Sequence, residues 1–234
     1  MSDRPDSEPP KIQPFHLDVH GTSGRFIAVE GMNGSGTTSI ARKIRRELEA
    51  AGYDVLRARL PSEGVRKSAM YKVFDRQNQR DQINPLVFEV AYMADKLQAS
   101  YNLILPALEQ GKIVVADRYL LSSLGALLIR APELGAVVND ALYNRVWFRD
   151  LVENMINPDL SIYLSVKAEV AVDRLMHRQN DRAFDIEVNA YQNLMDEGLE
   201  LARVNGMHIF DTSEDNVNET YEKIRPHVDK ALSW

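Results

Sequence analysis

Eight consecutive residues, Gly31-Met32-Asn33-Gly34-Ser35-Gly36-Thr37-Thr38, carry the clearest chemistry in the chain. They follow the Walker A spacing of Gly, four residues, Gly, Lys, then Ser or Thr, except that Thr37 stands in the lysine's place. Glycines at 31, 34 and 36 let the backbone curl so that successive N–H groups converge on phosphate oxygens. A helix beginning near Thr38 adds the positive end of its dipole. The expected nucleotide contacts are Gly31, Asn33, Gly34, Ser35, Gly36, Thr37, Thr38 and Ser39, with the Thr38 hydroxyl placed to join a Mg²⁺ bridging two phosphates. The missing lysine removes a point charge from the β- and γ-phosphates. There is no cysteine, so thiolate metal sites, disulfides and cysteine nucleophiles are excluded. The five histidines (His16, His20, His177, His208 and His227) lack ligand spacing and read as non-catalytic.

The elements around this loop follow from hydrophobic pattern. Phe26-Ile27-Ala28-Val29 is a buried-strand run before the loop, and Ile40, Ile44 and Leu48 mark the helix after it, stopped by Gly52. Further strands are expected at Tyr53–Ala58, Ile113–Asp117, Leu160–Leu164 and His208–Asp211. A long helix after Pro85 carries Leu86, Val90, Met93, Leu97, Tyr101, Ile104 and Leu108 on one stripe until Gly111; a last helix from Val217 should bend at Pro226. Strands apolar on both faces alternating with helices predict an α/β fold, a doubly wound five-stranded parallel sheet with helices on both faces. Residues 1–24 read as a flexible arm ahead of a domain over 25–234, while Arg130 to Asn144 is either loop or broken helix.

With 234 residues, 44% of them hydrophobic, the chain suits one domain with a short lid. The net charge of −6 gives no general basic field for nucleic acid, so a phosphate ligand must meet a local cluster of cations. No apolar run is long enough to span a bilayer, and the acidic, proline-rich start is no signal peptide, so a cytoplasmic protein is expected.

From about Arg25 to Arg203 the chain resembles the thymidylate kinase family of P-loop nucleoside monophosphate kinases. The likeness is carried by the glycine loop, Arg59-Leu60-Pro61, Asp95-Lys96-Leu97-Gln98-Ala99, Pro106-Ala107-Leu108-Glu109 with Gly111, Asp117-Arg118-Tyr119 with Ser122-Ser123, Asn157-Pro158-Asp159-Leu160, and Asp181-Arg182. The loop is also similar to those of phosphoribulokinases and of one archaeal type of cytidylate kinase, which work without that lysine.

The resemblance implies ATP- and Mg²⁺-dependent phosphoryl transfer to a nucleoside monophosphate, dTMP first. Asp117 would hold Mg²⁺ or its waters with Thr38, and Arg118 would grip the acceptor phosphate. Arg59, Tyr92, Lys96 and Ser122 fall at acceptor-binding positions, Tyr92 where the family stacks an aromatic ring on the base. Arg178 and Arg182 belong to a lid at about 177–185 that closes over the ATP phosphates. A homodimer is implied as well. The departures cluster in the acceptor site: Asn33 replaces an Asp, Leu60 a Glu, and Ala126-Leu127 a Tyr-Gln. They leave open a different or modified nucleotide or nucleoside as acceptor, and a nucleotide-binding pseudokinase module.

Overall fold

A parallel sheet covered on both faces needs apolar side chains in both alternating sets of each central strand. In β1 (Arg25–Gly31), Phe26 and Ala28 face one core while Ile27 and Val29 face another. The computed structural model describes residues 14, 16, 17, 19–68, 71, 85–121, 151–178 and 188–233. With β2 (Val55–Arg59), β3 (Ile113–Asp117), β4 (Leu160–Ser165) and β5 (His208–Asp211), β1 forms a five-stranded sheet in the order β2-β3-β1-β4-β5. Every pairing is parallel, so all C-terminal ends lie at one edge: Arg59 and Val29 both pair with Asp117, and Gly31 pairs with Leu164. β1 lies between β3 and β4, where an open α/β sheet forms its binding crevice. The expected five-stranded α/β fold is the one observed, although β2 begins at Val55 and leaves Tyr53 exposed ahead of it.

One core packs the sheet against α1 (Thr37–Ala50), through Ile40, Ile44 and Leu48. The same face takes α7 (Val217–Leu232) through Tyr221, Ile224 and Val228, and this helix is a single run with Pro226 inside it. The opposite face meets α3 (Pro85–Ala99), α5 (Ala168–Arg178) and α6 (Val188–Val204). A short α2 (Glu63–Lys67) follows β2. The helix α3 continues through a π-turn (Ser100–Ile104) into α4 (Leu105–Glu109), and Gly111 at φ 75° ends it. The wider turn shifts the phase of the expected stripe, leaving Tyr101 exposed while Ile104 and Leu108 stay buried. Val90, placed on that stripe by periodicity, is exposed as well.

Part of the segment read as a flexible arm is tied down. Leu17 packs against the core, and His20 bonds Thr22 Oγ1 at 2.8 Å and Asp159 Oδ2 at 3.0 Å. Asp159 Oδ2 also accepts the Phe26 N–H at 2.7 Å, which joins this segment to the starts of β1 and β4. Arg130 to Asn144 lies outside the described residues.

Candidate active site

The loop between β1 and α1 is built on positions that exclude side chains. A Cβ on Gly31 would stand 2.4 Å from Ser35 Oγ and 2.7 Å from the Leu164 carbonyl. One on Gly34, at φ 89°, would meet Ala171 backbone atoms at 2.8 Å. Gly36 takes φ 93° as it leads into α1 and gives that helix no side-chain cap. Nor does α1 carry an acidic residue in its first turn, so its positive end is left for a ligand. By contrast, α7 closes its own start with a capping box in which Asn216 and Glu219 satisfy each other's backbone.

Two residues hold the loop from behind. Arg174 on α5 donates to the Gly34 carbonyl at 3.2 Å and to the Thr212 carbonyl at 2.6 Å. The Thr212 hydroxyl lies 3.0 Å from the Ser35 carbonyl and 3.1 Å from that of Ser165. The Gly34 and Ser35 carbonyls are thus held from outside the loop, while the Ser35 N–H closes a turn on the Met32 carbonyl at 3.1 Å. Buried Ser35 Oγ has no hydrogen-bond partner among the described residues, and a phosphate oxygen is the kind of acceptor that would satisfy it. A cavity of about 240 Å³ opens beside the loop, lined by Ser35, Gly36, Ser39, Arg174, Thr212 and Asn216.

Toward β3, Thr38 donates from Oγ1 to Asp117 Oδ1 at 3.1 Å. This is the pair that the sequence set on two separate elements. Asp117 is 1% exposed, and its other oxygen is held by Arg57 Nη2, with Arg59 Nε at 4.0 Å. Arg66 donates to the Arg59 carbonyl at 3.4 Å; burial first, and Arg59 second, lower its pKa. Thr38 and Asp117 fit a hard cation as two oxygen donors. Among the described residues no three His, Cys, Asp or Glu cluster, so phosphates and water would complete the shell. Thr37 is buried and brings no charge to the loop.

The next residue, Arg118, has a left-handed backbone at φ 72°, and its N–H bonds the Val29 carbonyl at 2.9 Å. That turn aims its side chain across the loop, where Nη2 donates to Asn33 Oδ1 at 2.7 Å. Tyr191 on α6 donates to the Asn33 carbonyl at 2.5 Å. Burial raises the Tyr191 pKa, against the pull of Arg118, which keeps its hydroxyl a donor at neutral pH.

The remaining expected residues are placed as follows. Lys96 is 2% exposed and donates to the Leu120 carbonyl at 3.3 Å. Tyr92 faces Tyr71, ring centroids 6.3 Å apart and 28° from parallel. Asp95 accepts the Ser62 N–H at 2.7 Å and so pins the turn after Arg59 onto α3. Arg178 ends α5, with its side chain outside the described set. Ser122, Arg182, Ala126, Leu127 and most of the lid segment lie outside the described residues. Arg57, Arg174 and Thr212 were not singled out by the sequence. A cation inside the otherwise apolar run Val55-Leu56-Arg57-Ala58 was the one available signal for Arg57.

A family model described as Thymidylate kinase matches residues 29–224. A thymidylate kinase of Staphylococcus epidermidis is 31% identical over 215 residues, covering 85% of this chain and 96% of that protein. One from Blochmanniella pennsylvanica is 30% identical over 221 residues, covering 90% and 95%. One from Caldicellulosiruptor saccharolyticus is 27% identical over 215 residues, covering 89% and 98%.

Proposed function

The chain belongs to the thymidylate kinase family and is an enzyme of the nucleoside monophosphate kinase class, and on that premise we propose that it transfers the γ-phosphoryl group of ATP to dTMP. The observation that carries this reading is the Thr38–Asp117 contact, 3.1 Å long and set directly beside a loop built to hold phosphate.

In this reading the loop N–H groups and the start of α1 bind the ATP phosphates, and the cavity against Arg174 and Thr212 takes the base and sugar. Mg²⁺, held by Thr38 and Asp117, would neutralise part of the charge on the phosphates. On the other side of the loop, Arg118 and Arg59 orient the acceptor phosphate for in-line attack. Lys96 is part of the same acceptor wall, and Tyr92 with Tyr71 forms an aromatic face for the base. Arg178 and Arg182 act from the lid on charge that develops during transfer.

A second acceptor nucleotide is favoured by Asn33, which offers an amide where the family has a carboxylate. We also propose a homodimer formed through the exposed apolar residues Val87, Val90, Tyr101 and Leu103 of the long helix. Among the described residues no helix is long and apolar enough to cross a membrane, and the proposed place of action is the cytoplasm.

Calorimetric titration tests the two-sided arrangement. ATP with Mg²⁺ and dTMP are expected to bind one site each, without competing. Mutual displacement of the two ligands would contradict it.

A further inference from the structure

We infer that Arg57 delivers from strand β2 the positive charge that the phosphate loop lacks at Thr37. The inference rests on the reading of Thr38 and Asp117 as the divalent-cation site. One carboxylate bridges the two groups: Asp117 Oδ1 takes the Thr38 hydroxyl, and Oδ2 takes the Arg57 guanidinium. Arg57 therefore stands one carboxylate's width from the Thr38 hydroxyl in the first turn of α1. Its side chain is largely buried, and Nε has no hydrogen-bond partner among the described residues. A buried guanidinium with an unused donor is set to take a further anionic oxygen.

Thr37 itself is buried at the start of α1, and its short side chain brings no charge to the loop. A divalent cation at Asp117 Oδ1 weakens the carboxylate's hold on Arg57 at Oδ2, because it draws on the same negative charge and repels the guanidinium. The weakened pair then lets Arg57 turn donors toward the phosphates. Cation binding and delivery of the arginine are thus coupled through a single carboxylate. Arg57 acts on the reaction first through Asp117, as a positioning residue, and reaches a phosphate oxygen only once Asp117 is engaged.

The coupling predicts two changes in opposite directions, which a purely structural arginine would not give. In Arg57→Ala, Mn²⁺ binding to the nucleotide-free protein, followed by electron paramagnetic resonance, should tighten about threefold or more because the competing cation is gone. In the same variant kcat should fall about thirtyfold or more, with KM for ATP changed by less than about threefold. Thr37→Lys added to Arg57→Ala should recover at least about tenfold of the lost kcat, since it returns a cation to the phosphates. Arg57→Lys keeps the charge and should hold most of the rate, and Arg57→Gln, which keeps bulk without charge, takes the same tests if the alanine variant fails to fold.

Wild-type Mn²⁺ binding with an unchanged midpoint in Arg57→Ala overturns the inference and leaves the cation site standing. A kcat loss that Thr37→Lys does not recover also overturns it. Absence of Mn²⁺ binding in the wild-type protein removes the cation site itself, and the inference with it.

Discussion

Arg118 donates to the side-chain oxygen of Asn33 at 2.7 Å, across 85 residues of sequence. A guanidinium has no acceptor, so the Asn33 amide must turn its oxygen to Arg118 and its NH₂ away. A carboxylate at this place would bind Arg118 as a charged pair and leave no donor. Arg118→Ala should lower kcat/KM for the acceptor about a hundredfold or more, with ATP affinity altered by less than about threefold. Asn33→Asp, which clamps Arg118, should raise KM for the acceptor and leave ATP binding alone. Steady-state kinetics with calorimetry separates these effects; equal losses for both ligands would place Arg118 outside the acceptor site.

Arg174 supports the loop rather than touching the acceptor. Arg174→Ala removes donors from the Gly34 and Thr212 carbonyls, and Thr212→Val removes the hydroxyl between Ser35 and Ser165. Each should destabilise the fold by about 1–3 kcal/mol and weaken ATP binding more than dTMP binding. Denaturant unfolding and calorimetry provide the check. An unfolding midpoint equal to wild type in both variants would show that the brace contributes nothing.

Two loop glycines should respond differently to alanine. Both Gly34 and Gly36 have positive φ, which strains an L-residue by about 1–2 kcal/mol. At Gly36 a new Cβ meets nothing within 4 Å, whereas at Gly34 it meets Ala171 backbone at 2.8 Å. Gly34→Ala should therefore lower the unfolding temperature further than Gly36→Ala. Equal shifts would mean that the loop and α5 yield to each other freely.

Acid should weaken the fold partly through His208. Burial first, then the His227 ring 4.4 Å away and Lys230, lower the His208 pKa. The unfolded chain takes up that proton at higher pH than the folded one, so stability falls as pH drops below about 6.5. His208 is largely exposed, so the effect is small. Unfolding temperatures of His208→Gln and wild type, compared at pH 7.5 and pH 5, should show the smaller acid drop in the variant. Identical drops would remove His208 as the cause.

The sheet was legible because its strands are short apolar runs, and the glycine loop because its spacing is chemically demanding. Thr38 and Asp117 were legible as residue types, since each closes or follows a recognisable element. Their contact depends on β1 and β3 being neighbours, which strand pattern alone does not state. Arg57 was hidden because a cation in a strand reads as an edge position facing water, and β2 is an edge strand. Arg174 was hidden on the polar side of an amphipathic helix, where arginines are common. Tyr101 was misplaced because a π-turn leaves no mark in a 3.6-residue periodicity.

Phosphoryl transfer itself is measured most directly with γ-labelled ATP, Mg²⁺ and a panel of nucleoside monophosphates, following label in the diphosphate product. Label is expected in dTDP, dependent on Mg²⁺ and strongly reduced in Thr38→Ala. Binding of ATP and dTMP with no label in any diphosphate, at any Mg²⁺ concentration, would contradict the proposed reaction.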